Sequence, residues 1–211
     1  MKIALVGSTG RIGRRILNEA LTRGHHVTAI VRASSHKPDS RADLELKTGD
    51  VTNAESIVAS AKGNGLLISA YGPARGGDHN EIVTAASALV DAVGQNQPMR
   101  LIWVGGAGSL EVTPGVQLVD TPDFPPAYKK AALAHRDALG VFRKAPIDWT
   151  FVSPAAEIFE GTRTGKYRIG GDQLLVNEKG ESRISMEDFA KAIIDEVEKP
   201  QFYRKRFTMA Y

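Results

Sequence analysis

Lys2-Ile3-Ala4-Leu5-Val6-Gly7-Ser8-Thr9-Gly10-Arg11-Ile12-Gly13 joins a short aliphatic run to a glycine-punctuated turn and the start of an amphipathic segment. In such a turn Gly7 makes the tight bend, Gly10 lets the backbone approach a pyrophosphate, and Gly13 lets helix and strand pack closely. The free N–H groups and positive end of the helix then favour an anion beside Ser8, Thr9, Arg11 and Ile12. Three glycines alone are a weak signal, and purely structural glycines are the competing reading. Their place between a strand and a helix makes a dinucleotide the expected ligand. An ATP-type phosphate loop is excluded, because Gly13 is followed by Arg14 and Arg15 rather than by Lys and Ser or Thr.

Outward from this stretch, strand-like runs alternate with helical periodicity. Ile12, Ile16, Leu17, Ala20 and Leu21 line one helical face, and Gly24 supplies its stop. Strands are expected over His26–Val31, residues 43–47, residues 65–70, Arg100–Val104 and residues 148–152, with 206–209 closing the sheet. Helices are expected over residues 53–61, 80–93 and 128–142, and again around Met186, Phe189, Ile193 and Val197, where Ser185 and Asp188 resemble a capping box. Alternation of this kind predicts parallel strands joined by right-handed crossovers. The expected fold is a Rossmann-like, doubly wound α/β sheet with helices on both faces. One domain spans residues 1–211, with a small substrate-side extension near the C-terminus. Two glycine-rich stretches, 105–127 and 159–183, interrupt the rhythm, the second with a short possible strand at 173–176. Both follow late strands, at the carboxyl end where open sheets bind ligands.

Composition narrows the classes. The 211 residues are 42% hydrophobic, 24% charged and 7% aromatic, a globular profile without long apolar runs. The absence of cysteine excludes disulfides, thiolate metal sites and a cysteine nucleophile. A net charge of +3 suits a small anionic ligand as readily as nucleic acid, and no aromatic stacking platform accompanies it. The expectation is a cytoplasmic protein, since the first residues lack a secretory pattern, with neither membrane nor nucleic acid as partner. Monomer and homodimer both remain open.

An NAD site places an acid about 20 residues past the glycine loop. Here the second strand ends in Arg32, followed by Ala33-Ser34-Ser35-His36-Lys37. A guanidinium beside hydroxyls matches a 2′-phosphate, which makes NADPH the expected cofactor. A solvated arginine in a basic loop is the alternative, and Arg11 likewise reads as a pyrophosphate partner or an exposed helix-start residue.

With the glycine loop and Arg32 go Gly49-Asp50-Val51, Ser69-Ala70, Val104-Gly105-Gly106-Ala107-Gly108-Ser109-Leu110, His135 and Ser153-Pro154-Ala155. On these residues the chain resembles the atypical short-chain dehydrogenases/reductases, in the NAD(P)H-flavin reductase branch akin to biliverdin reductase B and the NmrA-like proteins. The resemblance covers nearly the whole chain and is specific for fold and cofactor, not for substrate. It implies that Asp50 and Val51 contact the adenine. It also implies that Ser69, Ala70 and Tyr71 border the nicotinamide ribose, that Pro154 and Ala155 meet the nicotinamide, and that Gly105 belongs to the cofactor site. Without it, Asp50 is a turn-forming acid and Pro154 a strand terminator.

The Tyr-x-x-x-Lys pair usual in that family is missing. Tyr128 is followed by Lys129 and Lys130, which point to other helix faces, and by Ala132 at i+4. This disfavours alcohol oxidation and epimerisation and suits hydride delivery, where proximity and stacking suffice. Ser109, His135 and Tyr128 are the candidate catalytic residues; a loop serine, a locally bonded histidine and a helix-starting tyrosine are the plain alternatives. Leu110, Val112 and Val116 are candidates for an apolar platform. Arg204-Lys205-Arg206 reads as a solvated sheet edge, Asp123 and Glu157 as isolated acids, and His25-His26 as a turn without metal partners. The expected function is NADPH-dependent reduction of a planar small-molecule acceptor, free flavin or quinone, with flavin a substrate rather than a bound cofactor. The alternatives are an NADP(H)-binding redox sensor that regulates a protein partner and a dehydrogenase using Tyr128 in an altered geometry.

Overall fold

Alternation along β1 (Lys2–Val6) builds both layers of the protein: Ala4 and Val6 enter one core, Ile3 and Leu5 the other. The computed structural model describes residues 1–33, 38–73, 77–96 and 98–211. After β1 come α1 (Gly13–Thr22), β2 (His26–Val31), β3 (Leu44–Thr48), α2 (Ala54–Ala61), β4 (Leu66–Ser69), α3 (Glu81–Gln95) and β5 (Arg100–Val104). A short hairpin, β6 (Glu111–Thr113) and β7 (Val116–Gln117), and one 3-10 turn precede α4 (Pro126–Lys144) and β8 (Trp149–Ser153). The chain ends with β9 (Glu157–Phe159), β10 (Arg168–Gly170), β11 (Arg183–Ser185), α5 (Met186–Glu198) and β12 (Lys205–Ala210).

Eight strands form the central sheet in the order β10-β12-β8-β5-β4-β1-β2-β3, parallel throughout except for β10. The chain winds outward from β1 to β3, then crosses back to β4, so the winding reverses between β1 and β4. That crevice is where doubly wound sheets bind ligands. Leu67, Leu101, Trp103 and Phe151 face α2, α3 and α4, whereas Ile68, Ile102, Val152 and Phe207 face α1 and α5. Strands buried on both faces explain their nearly continuous apolar runs.

Three expectations need correction. Residues 173–176 form no strand: Gln173 makes a single bridge to Glu111, because Glu111 N–H bonds Asp172 O and Leu174 N–H bonds Glu111 O. Arg206 is not at a solvated edge, since β12 lies between β8 and β10 and buries that side chain. The capping box at α5 is half formed. Ser185 Oγ accepts from Asp188 N–H at 3.0 Å, but Ser185 N–H goes to the Tyr211 hydroxyl.

The freed Asp188 carboxylate accepts instead from Thr164 N–H and Oγ1, Gly165 N–H and Tyr211 Oη, at 2.5–3.2 Å, tying the 160s loop and the C-terminus to α5. Burial would raise its pKa, but these donors hold it below the usual carboxylate range. A depressed folded-state pKa contributes stability above the unfolded value near 4 that fades as pH falls through the folded one. Asp188→Asn should therefore cost roughly 3 kcal/mol at neutral pH and much less near pH 2, since bonds to a charged acceptor are the strong ones. Thermal melts of both proteins across that range check it; a pH-independent difference would contradict the assignment.

Candidate functional site

The chain leaves β1 through Gly7, whose φ of +79° lies in the left-handed region open to glycine. A Cβ there would sit 2.5 Å from Ala70 O, and one on Gly13 only 1.9 Å from Gly7 O. Gly10 N–H bonds Gly7 O at 3.0 Å and Arg14 N–H bonds Gly10 O at 2.9 Å, closing the turn. Helix α1 then begins with no side-chain cap and no acid in its first turn. Ser8 Oγ is buried and has no hydrogen-bond partner among the described residues. A glycine cradle, an uncapped helix end and a free buried hydroxyl together fit a pyrophosphate. Arg11, Arg14 and Arg15 come to within 3.6, 3.3 and 3.3 Å of Glu160 in the segment after β9.

Gly7, Ser8, Thr9 and Gly10 share one cleft of about 620 Å³ with Arg32, Val51, Ala70 and Tyr71, on the crevice between β1 and β4. Asp50 lines an adjoining cleft together with Arg32, Val51, Tyr71 and Glu81. Its carboxylate accepts from Thr52 N–H (2.9 Å) and Thr52 Oγ1 (2.7 Å); these bonds, and the nearby charge of Arg32, hold it below its ordinary pKa. Tyr71 Oη donates to Glu81 at 2.5 Å, and burial with that carboxylate pushes the phenol above its ordinary range. Tyr71 thus lines the cleft with its phenol protonated at neutral pH. Ser69 is fully buried below it. Ser34, Ser35, His36 and Lys37 lie outside the described residues.

Gly105, Pro154 and Ala155 stand at the ends of β5 and β8, farther along the same edge and outside the lining of that cleft. A Cβ on Gly105 would fall 1.9 Å from the Phe151 ring, so a larger residue has no place there. Gly106 lies against His135, its would-be Cβ 3.3 Å from the imidazole. His135 sits edge-on to Trp103 at 6.5 Å, with a buried Nδ1 that has no partner among the described residues. Burial, then the neighbouring His79, pushes its pKa down to about 4, so the ring is neutral at physiological pH. Tyr128 is 68% exposed at the start of α4. Ser109 is buried, and its Oγ and O both accept from Arg206, at 2.8 and 3.0 Å. Leu110 is buried as well, while Val112 and Val116 face solvent. Glu157 pairs with Arg183, and His25 bonds the N-terminal amine and Glu198.

Glu81, His79 and Arg206 are the neighbours that sequence reasoning missed. Glu81 carried a weak signal, as the acid in the first turn of α3; His79 and Arg206 carried none beyond their residue type.

A crevice of this construction defines a dinucleotide-binding α/β protein. The family model described as NAD(P)H-binding matches residues 7–200, and the chain belongs to that family. It is 48% identical to a candidate exported protein of Burkholderia pseudomallei, covering 100% of both chains with a TM-score of 0.91. Identity is 38% to a candidate epimerase of Bacteroides thetaiotaomicron (100% of this chain, 96% of that one, TM-score 0.92). It is 34% to a candidate NADH-flavin reductase of Streptococcus pneumoniae (100% and 99%, TM-score 0.90). No helix among the described residues is long and apolar enough to cross a membrane.

Proposed function

We propose that the protein is a cytoplasmic NADPH-dependent oxidoreductase that reduces a planar acceptor such as free flavin or a quinone. The observation that carries this reading is the continuous cleft from the Gly7–Gly10 turn to Arg32, a guanidinium with no ion-pair partner among the described residues. Bound NADPH would supply the hydride. Gly7, Ser8, Gly10 and Gly13 would hold the pyrophosphate and Arg32 the 2′-phosphate, while Asp50 and Val51 would border the adenine. Ser69, Ala70 and Tyr71 would line the ribose, with Gly105, Pro154 and Ala155 beside the ring to be oxidised.

On the acceptor side, His135 is a neutral hydrogen-bonding group, Tyr128 an exposed flank, and Ser109 a residue that sets the loop's position. The Streptococcus neighbour supports a flavin acceptor. The Bacteroides neighbour suggests epimerisation, but Ala132 stands where a lysine would pair with Tyr128. NADPH oxidation followed by absorbance with FMN, riboflavin and a simple quinone, with NADH in parallel, tests the reading. Acceptor-dependent turnover preferring NADPH is expected; tight NADPH binding without turnover would shift the reading to a redox sensor. With His135 uncharged above about pH 4, kcat should show no inflection from His135 between pH 6 and 8. An inflection near 6.5 that vanishes in His135→Gln would contradict a neutral role.

A further inference from the structure

We propose that Arg206 is a positioning residue for the acceptor site, acting through Ser109; this rests on the reductase reading for what the site binds. The guanidinium is almost completely buried, its side chain 3% exposed. Burying such a charge is expensive unless it is paired and bonded on several sides. Here Nη1 donates to Ser109 Oγ and Ser109 O, Nε donates to Asp172 Oδ1 at 2.8 Å, and Nη2 bonds the same carboxylate and Asp172 O. One side chain thus ties β12 to the loop after β5 and to the loop after β10. Arg143 of α4 approaches Asp172 as well, at 3.6 Å, but is largely exposed.

The clamp bears on the segment that the reductase reading sets beside the acceptor. From Gly105 to Gly108 the loop lies flat on its surroundings because it carries almost no side chains. Gly105 abuts Phe151, Gly106 abuts His135, and a Cβ on Gly108 would meet Ala132 at 2.6 Å. Ser109 is where a buried side chain takes hold of this flat run, so moving Ser109 moves Gly106 against His135. The phosphate cleft is built instead on the ends of β1, β2 and β4, on the far side of β8 and β5 from β12. Loss of Arg206 should therefore disturb the acceptor while sparing the grip on the cofactor's phosphates, which carries most of the NADPH affinity.

Arg206→Met keeps length and removes every bond; Arg206→Lys keeps the charge without the fork. Three quantities are read: NADPH Kd by fluorescence, kcat and KM for FMN, and amide hydrogen exchange over residues 106–112. Arg206→Met should raise the acceptor KM by about tenfold or more and speed exchange by a similar factor, with NADPH Kd within about twofold. Arg206→Lys should recover part of both effects. Ser109→Ala should reproduce a fraction, and adding it to Arg206→Met should change little, because the two act as one unit. Equal losses in cofactor and acceptor binding, or unchanged KM and exchange, would overturn the proposal. If the wild-type protein turns over no acceptor, the reductase reading fails, while exchange and NADPH affinity still judge the clamp. If Arg206→Met does not fold, Arg206→Lys and Ser109→Ala are held to the same pattern.

Discussion

Gly13→Ala is expected to abolish NADPH binding, raising Kd by at least about 100-fold, the equivalent of roughly 3 kcal/mol. The added methyl would lie 1.9 Å from Gly7 O, 2.7 Å from Gly7 C and 3.2 Å from Ser8 Cα. All three are backbone atoms of the turn proposed to cradle the pyrophosphate, so no side-chain rotation relieves the clash. Helix α1 packs on α5 and on β1, which leaves the turn itself to move. A displacement near 1 Å is enough to take N–H donors out of hydrogen-bond range. Gly24→Ala is the control. Gly24 has a φ of +76° with nothing near a would-be Cβ, so its alanine should lower stability by about 1 kcal/mol and leave Kd unchanged. Titration calorimetry with NADPH, alongside thermal melts, separates the two. Wild-type affinity in a folded Gly13→Ala protein would show that the turn is not the cradle.

The cofactor end was legible in the sequence because its determinants are consecutive. The β1 run, the three glycines and the Ile16-Leu17-Ala20 stripe fall in one window, and the φ of Gly7 and the close approach of Gly13 follow from that order. The proposed acceptor side is assembled from separated pieces. Ser109 was visible as a loop serine, but the cation that holds it comes from 97 residues away. Arg206 looked like part of an exposed basic edge, and only the placement of β10 outside β12 reverses that reading. By resemblance Tyr71 reads as a ribose neighbour, whereas its bond to Glu81 depends on how α3 returns to the crevice. Patterns of period 2 and 3.6 report which faces are buried. They do not report which strand lies outermost or which buried polar groups meet, and the surroundings of Ser109 depend on both.

Arg32 carries the second large effect. Arg32→Ala should reduce the preference for NADPH over NADH by more than about 100-fold, measured as the ratio of their Kd values so that turnover is not required. A guanidinium can grip a 2′-phosphate with two charge-assisted bonds, each worth roughly 1.5–3 kcal/mol net. Its removal has a further consequence here. Asp50 shares the cleft with Arg32, and its carboxylate is held ionised by Thr52 and by the arginine's charge. Without Arg32, Thr52 still keeps Asp50 charged, and that charge then opposes an incoming phosphate dianion with no cation from the described residues lining that cleft between them. NADH brings no such charge and should lose little. The loss of NADPH affinity should therefore exceed the value of the two bonds alone and shrink as salt screens the exposed carboxylate. Arg32→Ala combined with Asp50→Asn should recover part of the NADPH affinity, which isolates the repulsive part. If Arg32→Ala leaves the cofactor ratio unchanged, the 2′-phosphate is not held at the end of β2, and the preference for NADPH has no basis in this crevice.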